Sequence, residues 1–390
     1  ADRGSFSLRY YEHCAPIAPG VYPRLLGRRM EALALRLGAD NPQLLELQSL
    51  VSAFQHLPGR DELSPERVLE RHRDVQLHKQ RLARLCAESS DIADYLQEVV
   101  AEFNGRPGEP ESFDALHELL EAQAYRLAHW HAAADEINYR RFFDIHDLAA
   151  LRMEDPRVFD ATHQLILSLI TRGELDALRI DHPDGLYDPE AYFQRLQERA
   201  AQAMHSEPPA LYLLVEKILA SHEKLVSSWP VHGTTGYEFA NQVNGILIDQ
   251  RSAGALRRFY ASFSGERLPF DELLYQCKRM IMKYALASEL AVLAAELNRI
   301  SEADRHTRDF TLNRLRSALA ELVAWLPVYR TYEREGVIGA RDREYIDYAI
   351  GRAREGTRAE EAGVYDFLRR VLLREGLPEA TRERAARFSM

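Results

Sequence analysis

The sequence predicts an α/β fold with large all-α insertions, and three observations carry that prediction. Two apolar runs near the middle of the chain, Ala177-Leu178-Arg179-Ile180 and Leu211-Tyr212-Leu213-Leu214-Val215, are each followed directly by a carboxylate, Asp181 and Glu216. The stretch between them reads as a helix, so the unit is strand, helix, strand, which is parallel and right-handed. On either side, from about Tyr22 to Ile137 and from about Gly254 to Leu377, the spacing of apolar residues is helical.

Taken in chain order, residues 1 to about 30 hold one or two short strands. Ser5-Phe6-Ser7-Leu8-Arg9-Tyr10-Tyr11 alternates, and Pro16, Pro19 and Pro23 interrupt regular structure before a helix from about Tyr22. Ser64-Pro65 offers an N-cap and a first helical residue for a helix running to about Cys86. The next, near Asp91 to Phe103, stops at Asn104-Gly105, a pair suited to the left-handed conformation. After the linker Arg106-Pro107-Gly108-Glu109-Pro110, another starts near Ser112 and passes through Leu116, Leu119, Leu120, Tyr125 and Leu127. Beyond an irregular segment around Asn138 to Asp155, Pro156 opens a helix whose Val158, Phe159, Thr162, Leu165, Ile166, Leu169 and Ile170 form one stripe, ending at Gly173. In the strand that follows, alternation sets Arg179 and Asp181 on one side, a guanidinium beside a carboxylate. Asp188-Pro189 caps and opens the crossover helix, which runs to about Ala203, and later helices include Tyr275 to Leu297 and Leu312 to Leu326. Three segments result: 1–137, mainly helical; 138–250, central, with the strands; 251–390, helical.

A parallel crossover delivers both strand ends to one edge of the sheet, so Asp181 and Glu216 are expected to face one cleft. Adjacent strands lie about 4.8 Å apart, and a retaining glycosidase holds its two carboxyl groups roughly 5 to 5.5 Å apart. Composition narrows the alternatives. A net charge of -10 argues against nucleic acid as the main partner. Three scattered cysteines, Cys14, Cys86 and Cys277, suggest neither a disulfide framework nor a zinc site and fit a reducing cytoplasm. No run reaches the length of a membrane span, and the opening residues are no secretory signal. The histidines form no zinc-binding pair, so neither metal nor cofactor is expected. The basic run Arg67 to Arg84 carries Glu70 and Asp74 at helical spacing and reads as a solvated helix face. Gly233-Thr234-Thr235-Gly236 lacks the phosphate-loop lysine and reads as a tight turn. Trp229 and Tyr237 beside it are either core aromatics or stacking surfaces for a ligand, and Tyr139, Arg140 and Lys217 are either ligand contacts or ion-pair braces.

Arg179-Ile180-Asp181-His182 resembles the nucleophile motif of the α-amylase superfamily, in which an Arg precedes the nucleophilic Asp by two positions on the fourth barrel strand. Longer segments narrow the resemblance to the maltooligosyl trehalose synthase family: Asp135-Glu136-Ile137-Asn138-Tyr139-Arg140-Arg141-Phe142-Phe143-Asp144, Val215-Glu216-Lys217-Ile218-Leu219, Trp229-Pro230-Val231-His232-Gly233-Thr234-Thr235-Gly236-Tyr237-Glu238-Phe239 and Leu326-Pro327-Val328-Tyr329-Arg330-Thr331-Tyr332. The resemblance implies a partial (β/α)8 barrel with helical subdomains, in which the central segment supplies strands four to six. It also implies that the chain is a piece of a longer protein. The third catalytic acid of the superfamily would then follow Met390; His146-Asp147 cannot replace it, because it precedes the fourth strand.

The implied activity is an intramolecular glucosyl transfer turning the reducing-end α-1,4 bond of a maltooligosaccharide into the α,α-1,1 bond of trehalose. Asp181 would be the nucleophile and Glu216 the acid/base, with Arg179, His182, Lys217, Trp229, Tyr237, Tyr139 and Arg140 on the substrate. A trehalohydrolase acting on the product is the implied functional partner. Two alternatives stand beside this: a noncatalytic fragment that binds maltodextrin, and an amylase-like hydrolase or 4-α-glucanotransferase sharing the same catalytic layout. With barrel parts missing, the chain alone is expected to be inactive.

Overall fold

Helix starts follow the capping chemistry of the sequence. Asn41, Ser64, Asp155 and Asp188 each accept a backbone N–H of the first turn, and each is followed by a proline at the first helical position, opening Pro42–Gln55, Pro65–Glu88, Pro156–Thr171 and Pro189–Met204. The computed structural model describes residues 4–334, 338–355 and 362–389. The chain divides into two compact units, Ala1–His129 and Trp130–Met390; the expected central and C-terminal segments thus share one unit.

In the first unit an antiparallel hairpin, β1 (Ser7–Tyr10) and β2 (His13–Pro16), leads into helices whose Tyr22, Leu44, Leu47, Leu50, Phe54, Leu82, Ile92 and Val99 form a shared core. The helix expected to run from Ser112 to Leu127 is a short 3-10 turn, Pro110–Phe113, followed by Asp114–Glu121. Gln123 ends it: its amide donates back to the Leu119 carbonyl at 2.6 Å and its oxygen accepts the Ala18 amide at 2.8 Å, a contact no local periodicity reveals.

The second unit is mixed α/β. A short antiparallel pair, β3 (Arg141–Phe142) and β4 (Ile145–Ala149), precedes an open parallel sheet of β5 (Ala177–Ile180), β6 (Tyr212–Val215) and β7 (Gly233–Thr234), in that spatial order. Small sheets that do not close, bordered by large helical regions, make this a partial (β/α)8 arrangement. The inner face of β6 and the crossover helix bury Phe159, Tyr192, Phe193, Leu196, Leu213, Val215 and Trp229. A second core, including Leu297, Ile300, Leu315, Leu319, Phe367, Leu368 and Val371, joins the later helices.

Two departures from the periodicity stand out. The segment expected as one helix from Tyr275 to Leu297 is two, Phe270–Tyr284 and Ala287–Glu302. At the break the Ala285 carbonyl accepts Arg141 Nη2 at 3.1 Å, so a side chain from β3 takes up the freed backbone group. The helices Tyr237–Ile246 and Ala253–Ser264 bury no residue and leave Phe239, Ile246, Leu247, Phe259 and Phe263 open to solvent. No described helix is long and apolar enough to cross a membrane.

Candidate active site at the carboxyl edge of the parallel strands

The register of β5 and β6 aligns Ile180 with Val215, so the next residues, Asp181 and Glu216, leave the sheet side by side at its carboxyl edge. The Glu216 amide donates to the Ile180 carbonyl at 2.8 Å, continuing the ladder by one bond. The Glu216 carboxylate accepts the His182 amide at 3.0 Å, which ties its side chain to the turn carrying Asp181. Arg179 Nη1 stands 2.7 Å from Asp181 Oδ1, with 52% and 61% of the two side chains exposed. At that exposure the pair contributes little to stability and acts to orient the carboxylate.

His182 turns the chain sharply, with φ 45° and ψ 53° in the left-handed region. Gly185 makes room for its ring, since a Cβ there would stand 2.7 Å from the imidazole Cδ2. Around that ring lie Phe142 at 5.4 Å, Phe143 at 5.0 Å and Tyr329 at 5.8 Å between centroids.

Directly behind these turns sits a buried polar network. Lys217 Nζ lies 3.0 Å from both Asp184 Oδ2 and Glu223 Oε1, and the remaining Asp184 oxygen accepts the Tyr332 hydroxyl. One ammonium between two carboxylates, each further hydrogen-bonded, satisfies the ions that burial would otherwise penalise. Burial first, and then the Asp184 charge, push the Tyr332 hydroxyl far above the ordinary tyrosine range, so it remains a donor. Arg330 lies over the Tyr332 ring and donates to the carbonyls of Asp184 at 3.1 Å and Leu186 at 2.6 Å. Lys217 follows Glu216 in sequence and Asp184 follows Asp181 by three, so the network braces both strand ends at once.

This placement corrects two sequence-based assignments. Lys217, taken as a substrate contact, is 1% exposed and fully engaged by Asp184 and Glu223. Trp229, taken as a stacking surface, is buried between Phe193 and Tyr332 at centroid distances of 5.0 and 4.9 Å. Tyr237 is exposed at the first turn after β7, on the same sheet edge as the carboxylates. Tyr139 and Arg140 are exposed beside β3; the Tyr139 hydroxyl donates to the His146 carbonyl at 2.8 Å, and the Arg140 carbonyl accepts the Ala150 amide. Sequence reasoning gave no role to Asp184, Glu223, Phe142, Phe143 or the residues of the Tyr329–Tyr332 strap. The only signal was that most of them lie inside the longer motifs. Among the described residues no group of three His, Cys, Asp or Glu side chains is placed to hold a metal ion.

The same arrangement of elements recurs in known proteins. The solved structure of maltooligosyltrehalose synthase from Arthrobacter ramosus superposes with a TM-score of 0.56 at 32% identity, covering 73% of this chain and 34% of that one. A mutant of the same enzyme gives 0.56 at 33% identity. A curated Mycobacterium tuberculosis protein, provisionally named a maltooligosyl trehalose synthase, is 38% identical over 168 residues, 43% of this chain. Over these lengths the chain is similar to maltooligosyl trehalose synthases. It spans about a third of the length of the Arthrobacter enzyme and about a fifth of that of the Mycobacterium relative. No protein-family model matches it. The site described above occupies the strand ends of the partial barrel.

Proposed function

We propose that this chain carries the nucleophile and the acid/base of an intramolecular glucosyl transfer on maltooligosaccharides. The observation that carries the reading is the pairing of Asp181 and Glu216 on adjacent parallel strand ends, with Arg179 on one carboxylate and the His182 amide on the other. Asp181 attacks the anomeric carbon while Glu216 gives its proton to the leaving glycosidic oxygen, producing a covalent glucosyl-enzyme. The released glucose turns within the site and offers its 1-hydroxyl; Glu216 takes that proton as the new α,α-1,1 bond forms and Asp181 leaves. Water must be kept out during the turn, or hydrolysis wins. A trehalohydrolase in the same reducing cytoplasm would consume the product.

The test is incubation with maltopentaose in a protein extended to the length of the Arthrobacter relative. The expected product has unchanged mass and no reducing end. Glucose and maltotetraose would favour the hydrolase reading, and longer and shorter reducing oligosaccharides the 4-α-glucanotransferase.

A further inference from the structure

We infer that a cavity among the later helices binds a nucleotide, with its phosphates held by Lys283 and Arg316. The cavity, of about 670 Å³, opens where the end of Phe270–Tyr284 and the start of Ala287–Glu302 meet the first turns of Leu312–Trp325. Charge is the first observation. The chain as a whole carries a net charge of -10, yet Arg279, Lys283 and Arg316 line this cavity and no carboxylate does. Arg279 is neutralised by Glu321. Lys283 Nζ lies 5.0 Å from the centroid of the Tyr284 ring, and Arg316 is half-buried; among the described residues neither has a carboxylate partner. Two cations sharing one concavity repel each other, a cost that a bound anion removes.

Size and lining are the second observation. The volume exceeds what an inorganic phosphate fills and lies within the roughly 300 to 1,000 Å³ of small-molecule sites. Asn313 and Ser317 stand on the same helix face as Arg316 and bring polar groups to it, while the buried Met282 and Leu290 supply apolar surface beside the Tyr284 ring, which is 62% exposed. A ligand that uses all of these carries phosphate for the cations, hydroxyls for Asn313 and Ser317, and a flat ring for Tyr284. A nucleotide has the three; a sugar phosphate lacks the ring, and a nucleoside lacks the charge. Arg316 suits phosphate because its planar fork can donate two parallel hydrogen bonds.

Calorimetric titration of the whole chain with ADP, without magnesium, tests the site, with adenosine and glucose 6-phosphate titrated beside it. ADP should bind, and Arg316→Gln and Lys283→Gln should each weaken it about tenfold, the effect of losing one charge-assisted hydrogen bond. Lys283→Arg should keep most of the affinity. Arg257→Gln, which removes an exposed cation elsewhere in the same unit, should change nothing. Circular dichroism of each variant checks that the fold is intact. ADP binding unmoved by both glutamine variants of the cavity, or weakened equally by Arg257→Gln, overturns the site. So does adenosine binding as tightly as ADP, because the cations would then be idle, or glucose 6-phosphate doing so, because the ring would. If ADP does not bind, the proposal falls. These readouts do not involve maltopentaose, so they stand or fall apart from the glucosyl transfer.

Discussion

At the residue scale the site asks two carboxyl groups of similar intrinsic acidity to do different work. Asp181→Asn is nearly isosteric and solvent-exposed, so it should abolish trapping of a glucosyl-enzyme by an activated fluoro-sugar, followed by intact mass, while leaving the thermal midpoint unchanged. Glu216→Gln should lower turnover of maltopentaose by about 10²- to 10⁴-fold but spare the first step with a fluoride leaving group, which needs no proton. Equal losses on both substrates would remove Glu216 as the proton donor. Glu333 offers a separate handle. It is 3% exposed, one of its oxygens has no hydrogen-bond partner, and burial raises its pKa to about 7 despite Arg374 Nη2 at 3.0 Å from the other oxygen. A carboxyl group raised above its unfolded value of about 4.3 binds more protons folded than unfolded between those values. Stability should therefore fall as pH rises from about 4 to 7 and level off above. Glu333→Gln should flatten that slope in thermal melts; an unchanged slope would show that other groups set it. Of these residues, Asp181, Glu216 and Arg179 are legible because alternation and a parallel crossover are local patterns. Lys217 and Trp229 are misread because a place in the sequence, next to Glu216 or beside a glycine turn, does not say which way a side chain faces.

Among the elements, helix starts are the most legible, since an N-cap followed by proline specifies them within a few residues. Helix ends and breaks are the least legible. Gln123 stops one helix through Ala18, far away in sequence, and Arg141 marks the break of another from 148 residues before its partner Glu289. The Tyr332–Asp184 bond spans 148 residues as well. Such anchors are visible only once the chain is folded. Arg141→Met removes five donors from a buried position and leaves the Ala285 carbonyl and the partly exposed Glu289 without them. A loss of about 2 to 3 kcal/mol is expected, below the range for a wholly buried pair because Glu289 reaches solvent. The loss should appear first as faster hydrogen exchange at the Ala150 amide, which bonds across the β3–β4 pair to Arg140. Exchange unchanged there, with a lower melting point, would mean that Arg141 serves the helices alone.

On the scale of the whole molecule, β5 and β7 are each paired on one side only among the described residues, and two helices after β7 expose an apolar face. Unpaired edges and uncovered apolar surface weaken a barrel and admit water to its mouth. We therefore expect the chain alone to convert maltopentaose no faster than background. Fusion to the flanking segments of the Arthrobacter relative should raise conversion by orders of magnitude, with reducing-end assays as the measure. Trehalose-linked product from the unfused chain would show that closure of the sheet is not required. The parallel crossover has a last consequence, in heredity rather than chemistry. Asp181 and Glu216 sit on consecutive strands joined by one helix, so any recombination whose junctions fall outside residues 177–216 transmits both carboxylates, in register, as a single inherited block. A junction inside the crossover separates them, and neither half then encodes the pair.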